Sequence, residues 1–284
     1  MPELPEVETV RRRLGAHIEG HLITSVEGEG GRLVRNNPQG IADLHVHLPG
    51  AEISRVERRG KFMWLCLRER DLALVVHLGM SGQVRVAKTS RGQLARHEHL
   101  RLIFDDGRRV SFVDPRTFGH VTLSGLITDV NGRLIPELAR KIAPDPFEDI
   151  SLDPTIQKIR RSRRPIKTVL LDQAVISGIG NIYADEALFL SGIHGTRGGD
   201  SLEEDTLKEI VENARVVMGR ALAMKGTSFD SAYVTADGEP GEYGRALRVY
   251  RRSGRACPEC GDRIQRMVIH QRSHFFCPTC QPCP

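Results

Sequence analysis

The sequence predicts an α+β protein: an N-terminal β-sandwich with flanking helices, followed by a helical domain that ends in a hairpin carrying four cysteines. Three observations carry this. Apolar residues at helical spacing open the chain, short bulky strands separated by turns fill residues 22–125, and two cysteine pairs close it. At 284 residues the chain is long enough for two domains.

The elements follow in order. Val7, Val10, Leu14 and Ile18 recur three, four and four residues apart with Arg11, Arg12 and Arg13 between them, the pattern of a helix that buries one face. Phe62–Leu67 and Leu72–Val76 are apolar runs bounded by charge or glycine, and Leu100–Asp105 and Arg109–Val113 flank the hairpin signal Asp106-Gly107. Such strands indicate a sandwich or barrel rather than βαβ units; the sandwich is the expectation adopted, over residues 1–130. Asn131-Gly132, Pro136, Pro144 and Pro146 mark 131–150 as a linker.

A helical domain is expected over 151–246. Asp153-Pro154 reads as a cap followed by proline in the first turn, Pro165 as that helix's end, and Ser201-Leu-Glu-Glu204 as a capping box. Leu207, Ile210, Val211, Ala214, Val217, Met218, Ala221 and Leu222 trace one face of the helix that follows. Residues 226–246, rich in glycine and without a period, read as a loop that is functional or disordered.

The terminal module, 247–284, holds the strongest motif. Cys257-Pro-Glu-Cys260 and Cys277-Pro-Thr-Cys280 are separated by sixteen residues, and two such pairs complete a tetrahedral zinc site with no open position. The metal is therefore expected to be one structural Zn2+, with Cys283 as a competitor for the fourth position. From Arg245 to Pro284 eight arginines face only Glu259 and Asp262, a net +6, while residues 1–244 carry −1 of the chain's +5. A basic tail on a near-neutral body expects a polyanion, nucleic acid before membrane.

Composition excludes other classes. No apolar run approaches the ~18 residues of a membrane span. The acidic start Met1-Pro2-Glu3-Leu4-Pro5-Glu6 is no secretory signal. Five of the six cysteines crowd into the last 28 residues, which favours a reducing, cytoplasmic setting over a disulfide framework.

Two further segments carry chemistry. Ser177-Gly178-Ile179-Gly180-Asn181 formally matches a dinucleotide fingerprint, but Asp172 and Gln173 precede it and no βαβ alternation surrounds it. The better reading is helix, glycine turn, helix, with the second helix's first amides and Asn181 facing a phosphate. Lys158, Arg160, Arg161, Arg163, Arg164 and Lys167 form an uninterrupted basic run beside it. At the other end, Pro2 freed of Met1 would present a secondary amine beside Glu3 and Glu6; a terminal amine has a pKa near 7.7–8 against about 10.4 for lysine, hence a larger nucleophilic fraction. Pro2 and Pro5 suit a plain helix entry equally well.

Met1-Pro-Glu-Leu-Pro-Glu-Val-Glu-Thr9 resembles the start of bacterial formamidopyrimidine-DNA glycosylases, a family that includes the endonuclease VIII branch. The resemblance continues through Arg59-Gly60-Lys61, His77-Leu-Gly-Met80-Ser-Gly82, Asp114-Pro-Arg116-Thr-Phe118-Gly119, Gly178–Glu186 and the four cysteines. Leu4 and the motifs around Met80 and Phe118 favour the formamidopyrimidine branch. The resemblance implies a helix-two-turn-helix in the helical domain and a bifunctional glycosylase and AP lyase acting as a monomer on damaged double-stranded DNA at the nucleoid. Its substrates would be oxidised purines, 8-oxoguanine and formamidopyrimidines, released through a Schiff base on Pro2 and β,δ-elimination.

By that resemblance Glu3 is the general acid/base, Glu6 supports it, and Lys61 grips phosphate near the lesion. Met80, Arg116 and Phe118 fill the space of the flipped nucleotide, His77, Asn181 and Arg272 bind backbone phosphates, and His97 and Lys167 add contacts. The 226–246 segment is the lesion-recognition loop. Thr117 departs from the second arginine that many members carry. The rivals are a preference for oxidised pyrimidines and, from another class, a zinc-finger DNA-binding protein without catalysis.

Overall fold

A computed structural model describes residues 2–89, 93–227 and 241–284. The chain forms two compact units, residues 1–140 with 225–242, and 141–224 with 243–284.

In the first unit, helix α1 (Leu4–Ile18) buries Val7, Val10, Leu14 and Ile18, the stripe its spacing predicts. Each such burial contributes roughly 1.5–3 kcal/mol. Pro5 lies in its first turn, where a missing N–H leaves no bond unmade. Two antiparallel sheets follow. One contains β1 (Ile23–Glu27), β5 (Gln83–Ala87), β6 (Glu98–Phe104) and β7 (Arg109–Val113), in the order β1-β6-β7-β5. The other contains β2 (Ile53–Arg59), β3 (Phe62–Leu67), β4 (Leu72–His77), β8 (His120–Thr128) and β9 (Leu134–Pro136), in chain order. Val26, Val84, Leu100, Leu102, Val110 and Phe112 of the first sheet share a core with Val56, Leu65, Leu74, Val76 and Val121 of the second. The opposite face of β3 and β4 is covered too, with Trp64 fully buried beneath the Arg133 guanidinium.

The reading of residues 22–125 as strands alone missed helix α2 (Ile41–His47) and a 3-10 turn at Gly31–Val34. Gly30 and Gly40, both at positive φ, precede them and read as turn punctuation in the sequence. The expected linker is also partly ordered: β9 pairs with β8, and Ile135 and Ala139 are each 1% exposed within the first unit.

The second unit contains α3 (Asp153–Arg160), α4 (Ile166–Leu170), α5 (Asn181–Leu190), α6 (Glu204–Ala223) and the hairpin β10 (Gln265–Ile269) and β11 (Arg272–Phe276). Between α4 and α5 the chain makes two successive turns. The Gln173 side chain joins them, its Oε1 accepting the Gly178 N–H (2.9 Å) and its Nε2 donating to the Leu171 and Ile179 carbonyls (2.9 and 3.0 Å). Leu207, Ile210, Val211, Ala214, Val217, Met218 and Ala221 are the buried face of α6, while Leu222 is only partly buried.

The capping motifs fall differently from the sequence reading. Ser201 sits in the 3-10 turn Gly199–Ser201 with its hydroxyl on the Gly198 carbonyl (2.8 Å), so α6 starts after Glu203. Asp153 is already helical and exchanges hydrogen bonds with Ser151, and Pro165 precedes α4 rather than ending α3 at Arg160. Among the described residues, no helix is long and apolar enough to cross a membrane.

Candidate nucleic-acid interface and zinc centre

Pro2, Glu3 and Glu6 are all buried at the start of α1. The two oxygens of Glu6 do different work. Oε2 accepts the Glu3 N–H (2.9 Å), which closes the first turn and fixes the backbone between Pro2 and Leu4. Oε1 accepts both the N–H and the hydroxyl of Thr227 (2.8 and 2.9 Å). Gly226 is at φ +83°, and a Cβ there would lie 3.0 Å from Glu6 Oε1. Glu6 therefore ties the helix entry to the residue from which the expected lesion-recognition loop departs; 228–240 of that loop lie outside the described residues.

Lys61 is buried at the tight turn between β2 and β3, where Gly60 takes φ +56°. Arg58 steadies that turn, donating to the Gly60 carbonyl (3.1 Å) and to Glu8 (3.0 Å). Burial opposes ionisation of Glu8, but hydrogen bonds from Arg11 and Arg12 and the charge of Arg58 overcome it and hold the carboxyl at about 2. His77 ends β4 with its ring against Phe62 (4.6 Å between centroids) and stacked on His120 (5.2 Å). Burial, then the charges of His120, Lys61 and Arg35, push its pKa down to about 4. Its Nδ1 accepts the Gly79 N–H (3.2 Å), which assigns the proton of the neutral ring to Nε2 and leaves a donor there.

Met80 and Phe118 are 44% and 47% exposed, unusual for side chains of this size. Their loops converge on Asp114. Its carboxylate accepts the Ser81 hydroxyl (2.5 Å), the Arg116 N–H (3.2 Å) and the Gly119 N–H (2.7 Å). Its N–H donates to the His97 carbonyl (2.9 Å), and its own carbonyl is 2.9 Å from His99 Nε2. Arg35 holds the same turn from outside, donating to the carbonyls of Gly119 (2.7 Å) and Phe118 (3.2 Å). Gly79 permits the approach, since a Cβ would fall 2.5 Å from Gly119 N. The exposed Arg116 guanidinium lies 5.0 Å from the Phe118 ring. The structure thus brings His97, Met80, Arg116 and Phe118 onto one buried carboxylate, which sequence reasoning used only as part of a motif.

In the second unit Asn181 opens α5 after Gly180, and its Nδ2 donates to the Ser273 carbonyl (3.0 Å). Arg272, next in chain, is exposed on the hairpin. Lys167 corrects an expectation. It is fully buried, with Nζ on Asp185 Oδ1 (2.6 Å) and on the Ser273 carbonyl, and in this position presents no charge to a phosphate. A basic run does not reveal which member turns inward. A signal for its partner was present: Asp185-Glu186 is a pair of acids inside the apolar stretch Ile182–Leu190, which must find donors once buried. Glu186 finds the N–H groups of Arg248, Val249 and Tyr250, and burial raises its pKa.

Cys257, Cys260, Cys277 and Cys280 place their sulfurs within 4.8 Å of one another, with Cys257–Cys280 at 3.8 Å and Cys260–Cys277 at 3.4 Å. Zn–S bonds of ~2.3 Å in tetrahedral geometry separate sulfurs by about 3.8 Å, so the donor set and spacing fit one structural Zn2+. Cys283 is exposed and outside the cluster, which makes Cys280 the fourth ligand.

The Formamidopyrimidine-DNA glycosylase N-terminal domain matches residues 1–121, the Formamidopyrimidine-DNA glycosylase H2TH domain 142–232, and the zinc finger found in FPG and IleRS 254–282. The chain belongs to the formamidopyrimidine-DNA glycosylase family. The formamidopyrimidine-DNA glycosylase of Mycobacterium avium (strain 104) is 47% identical over 287 residues, covering 100% of this chain and 99% of its own. That of Rhodococcus jostii (strain RHA1) is 46% identical, covering 100% and 97%. Among solved structures, a Lactococcus lactis FPG variant in complex with a Fapy-dG containing DNA is similar at a TM-score of 0.85 and 33% identity, covering 99% of this chain and 100% of that one. Wild-type Lactococcus lactis FPG with an oxidized pyrimidine containing DNA matches at 0.84 and 34%, with the same coverage. The H2TH domain of the family corresponds here to the two turns stapled by Gln173, and the family's zinc finger to the β10–β11 hairpin.

Proposed function

We propose that the chain is a DNA glycosylase and AP lyase that removes oxidised purines, 8-oxoguanine and formamidopyrimidines, from double-stranded DNA. The observation that carries this reading is the helix entry, where Pro2 adjoins a buried carboxylic acid, Glu3, whose backbone Glu6 fixes. With Met1 removed, the Pro2 nitrogen attacks C1′ and the base leaves with the bonding pair and a proton. Glu3 takes the proton that the new ammonium gives up and delivers it to the ring oxygen. The ring opens and leaves an iminium on C1′. That cation acidifies C2′; loss of the C2′ proton expels the 3′ phosphate, and a second proton loss expels the 5′ phosphate.

The remaining residues take supporting roles. Lys61 and His77, the latter a neutral donor at Nε2, hold phosphates near the lesion. Extrusion of a nucleotide costs a few kcal/mol, which Met80 and Phe118 offset by entering the stack while Arg116 faces the unpaired base. His97, Asn181 and Arg272 contact the backbone, and the protein acts as a cytoplasmic monomer on the nucleoid. Oxidised pyrimidines are a second substrate class, since the Lactococcus relative has been solved with such DNA.

Borohydride trapping tests the reading, on protein whose N-terminal residue has been verified and on duplexes carrying 8-oxoguanine opposite cytosine or an oxidised pyrimidine. An adduct that Pro2→Gly abolishes, stronger on the purine, is the expected result. Stronger trapping on the pyrimidine reverses the substrate order. No adduct with Pro2 free and DNA bound leaves a binding protein without catalysis.

A further inference from the structure

A buried ammonium next to the DNA-facing hairpin needs an explanation once it cannot be a phosphate contact. Lys167 is 0% exposed, and its Nζ bridges Asp185 and the Ser273 carbonyl. Asp185 Oδ1 also binds His274 Nδ1 (2.6 Å), and Oδ2 accepts the Phe275 N–H (3.0 Å). His274 Nε2 accepts the Gly195 N–H (3.1 Å), which puts the imidazole proton on Nδ1, so the ring donates to Asp185 while neutral. The cluster then contains one cation and one anion, balanced and hydrogen-bonded. The Ser273 carbonyl sits at its edge, shared by Lys167 and Asn181.

A second observation shows that this stretch of hairpin is held where it would not rest by itself. His270 and Gln271, neither of them glycine, form the turn before Arg272 at φ +43° and +64°. The residue after Lys167, Thr168, anchors that turn, its hydroxyl 2.9 Å from His270 Nδ1.

We propose that Lys167 and Asp185 are positioning residues for DNA binding: they fix the Ser273 carbonyl, and through it hold Arg272 and Asn181 in register to share one phosphate. This rests on the reading that Asn181 and Arg272 contact the DNA backbone.

The test is equilibrium binding to a duplex with an abasic-site analogue, read by fluorescence anisotropy over a range of salt, with zinc content checked for each protein. Lys167→Met strands the Asp185 charge and should weaken binding roughly tenfold to a hundredfold. Lys167→Met with Asp185→Asn removes both charges and should return the Kd to within about threefold, with the salt slope unchanged, because loss of a real phosphate contact would lower that slope by about one. If the double variant stays as weak as Lys167→Met, or Lys167→Met binds as the unaltered protein does, the proposal is overturned. Should Lys167→Met fail to fold, the double variant decides alone. An unaltered protein that does not bind the duplex removes the functional reading and this proposal with it; a bound duplex without recovery removes the proposal only.

Discussion

The turn 114–119 and the hairpin 265–276 each present an exposed arginine, Arg116 and Arg272, beside residues forced to positive φ, Thr117 in one and His270 and Gln271 in the other. They are held by opposite means. The turn grows from a two-sheet sandwich, and one carboxylate, Asp114, suffices to hold it because strands β7 and β8 already fix its ends. The hairpin has only a small core of its own, Val249, Ile264, Phe275 and Phe189 with the cysteines, and needs a metal and a buried ion pair. Precision in a loop is thus drawn from core where core is at hand and from charge and coordination where it is not.

The comparison breaks most sharply at the metal. Cys277→Ala, or chelation, should unfold the hairpin and abolish tight DNA binding, since structural zinc contributes on the order of 10–16 kcal/mol to small modules. Trp64, the chain's single tryptophan and part of the sandwich, should report an unchanged melting transition. A shifted Trp64 transition would make the two regions one cooperative unit.

Asp114→Asn comes next. It turns an acceptor-only carboxylate into an amide among three donors and should cost about 2–3 kcal/mol of sandwich stability. Lesion-duplex affinity should fall with it. Arg35→Met removes only the outer hold on two carbonyls and should cost about 1 kcal/mol, with a similar drop in base extrusion read by a fluorescent adenine analogue.

Acid stability sharpens the comparison within the sandwich. His77 and His120 titrate near 4 when folded against 6.5 unfolded, so the unfolded chain binds more protons in that window and stability falls as pH drops from 6.5 toward 4. Glu8 and Glu98, at about 2 when folded against 4.5, add their loss only below 4.5. Urea titrations followed by Trp64 between pH 6.5 and 4.5 should show up to about 1.4 kcal/mol per pH unit for each histidine, halved in His120→Phe. An unaltered slope in that variant would place the titration elsewhere. The smallest effect expected is Cys283→Ser, which should leave one zinc per chain.

What the sequence made legible follows the strength of its periods. Phe62–Leu67 and Arg109–Val113 match β3 and β7 to the residue because both are short apolar runs cut off by charge or glycine. The four cysteines were legible because thiolate spacing is itself the geometry of the site. Helix α2, at seven residues, is too short to establish a period, and the true start of α6 was hidden because Ser201 bonds a carbonyl rather than the helix amides. Lys167 and Asp114 escaped for another reason: side chains that grip backbone groups far along the chain leave no pattern around themselves.

The bond from Glu6 to Thr227 spans 221 positions. At synthesis rates of about 5–20 residues per second, more than ten seconds pass between the appearance of the two residues. For that interval the nascent chain carries its proline and its glutamates but not the clasp that sets the loop beside them. A fragment that stops short of residue 227 would therefore fold a sandwich yet lack a finished pocket, and a ribosome-bound chain is kept from acting on the genome until nearly all of it has been made.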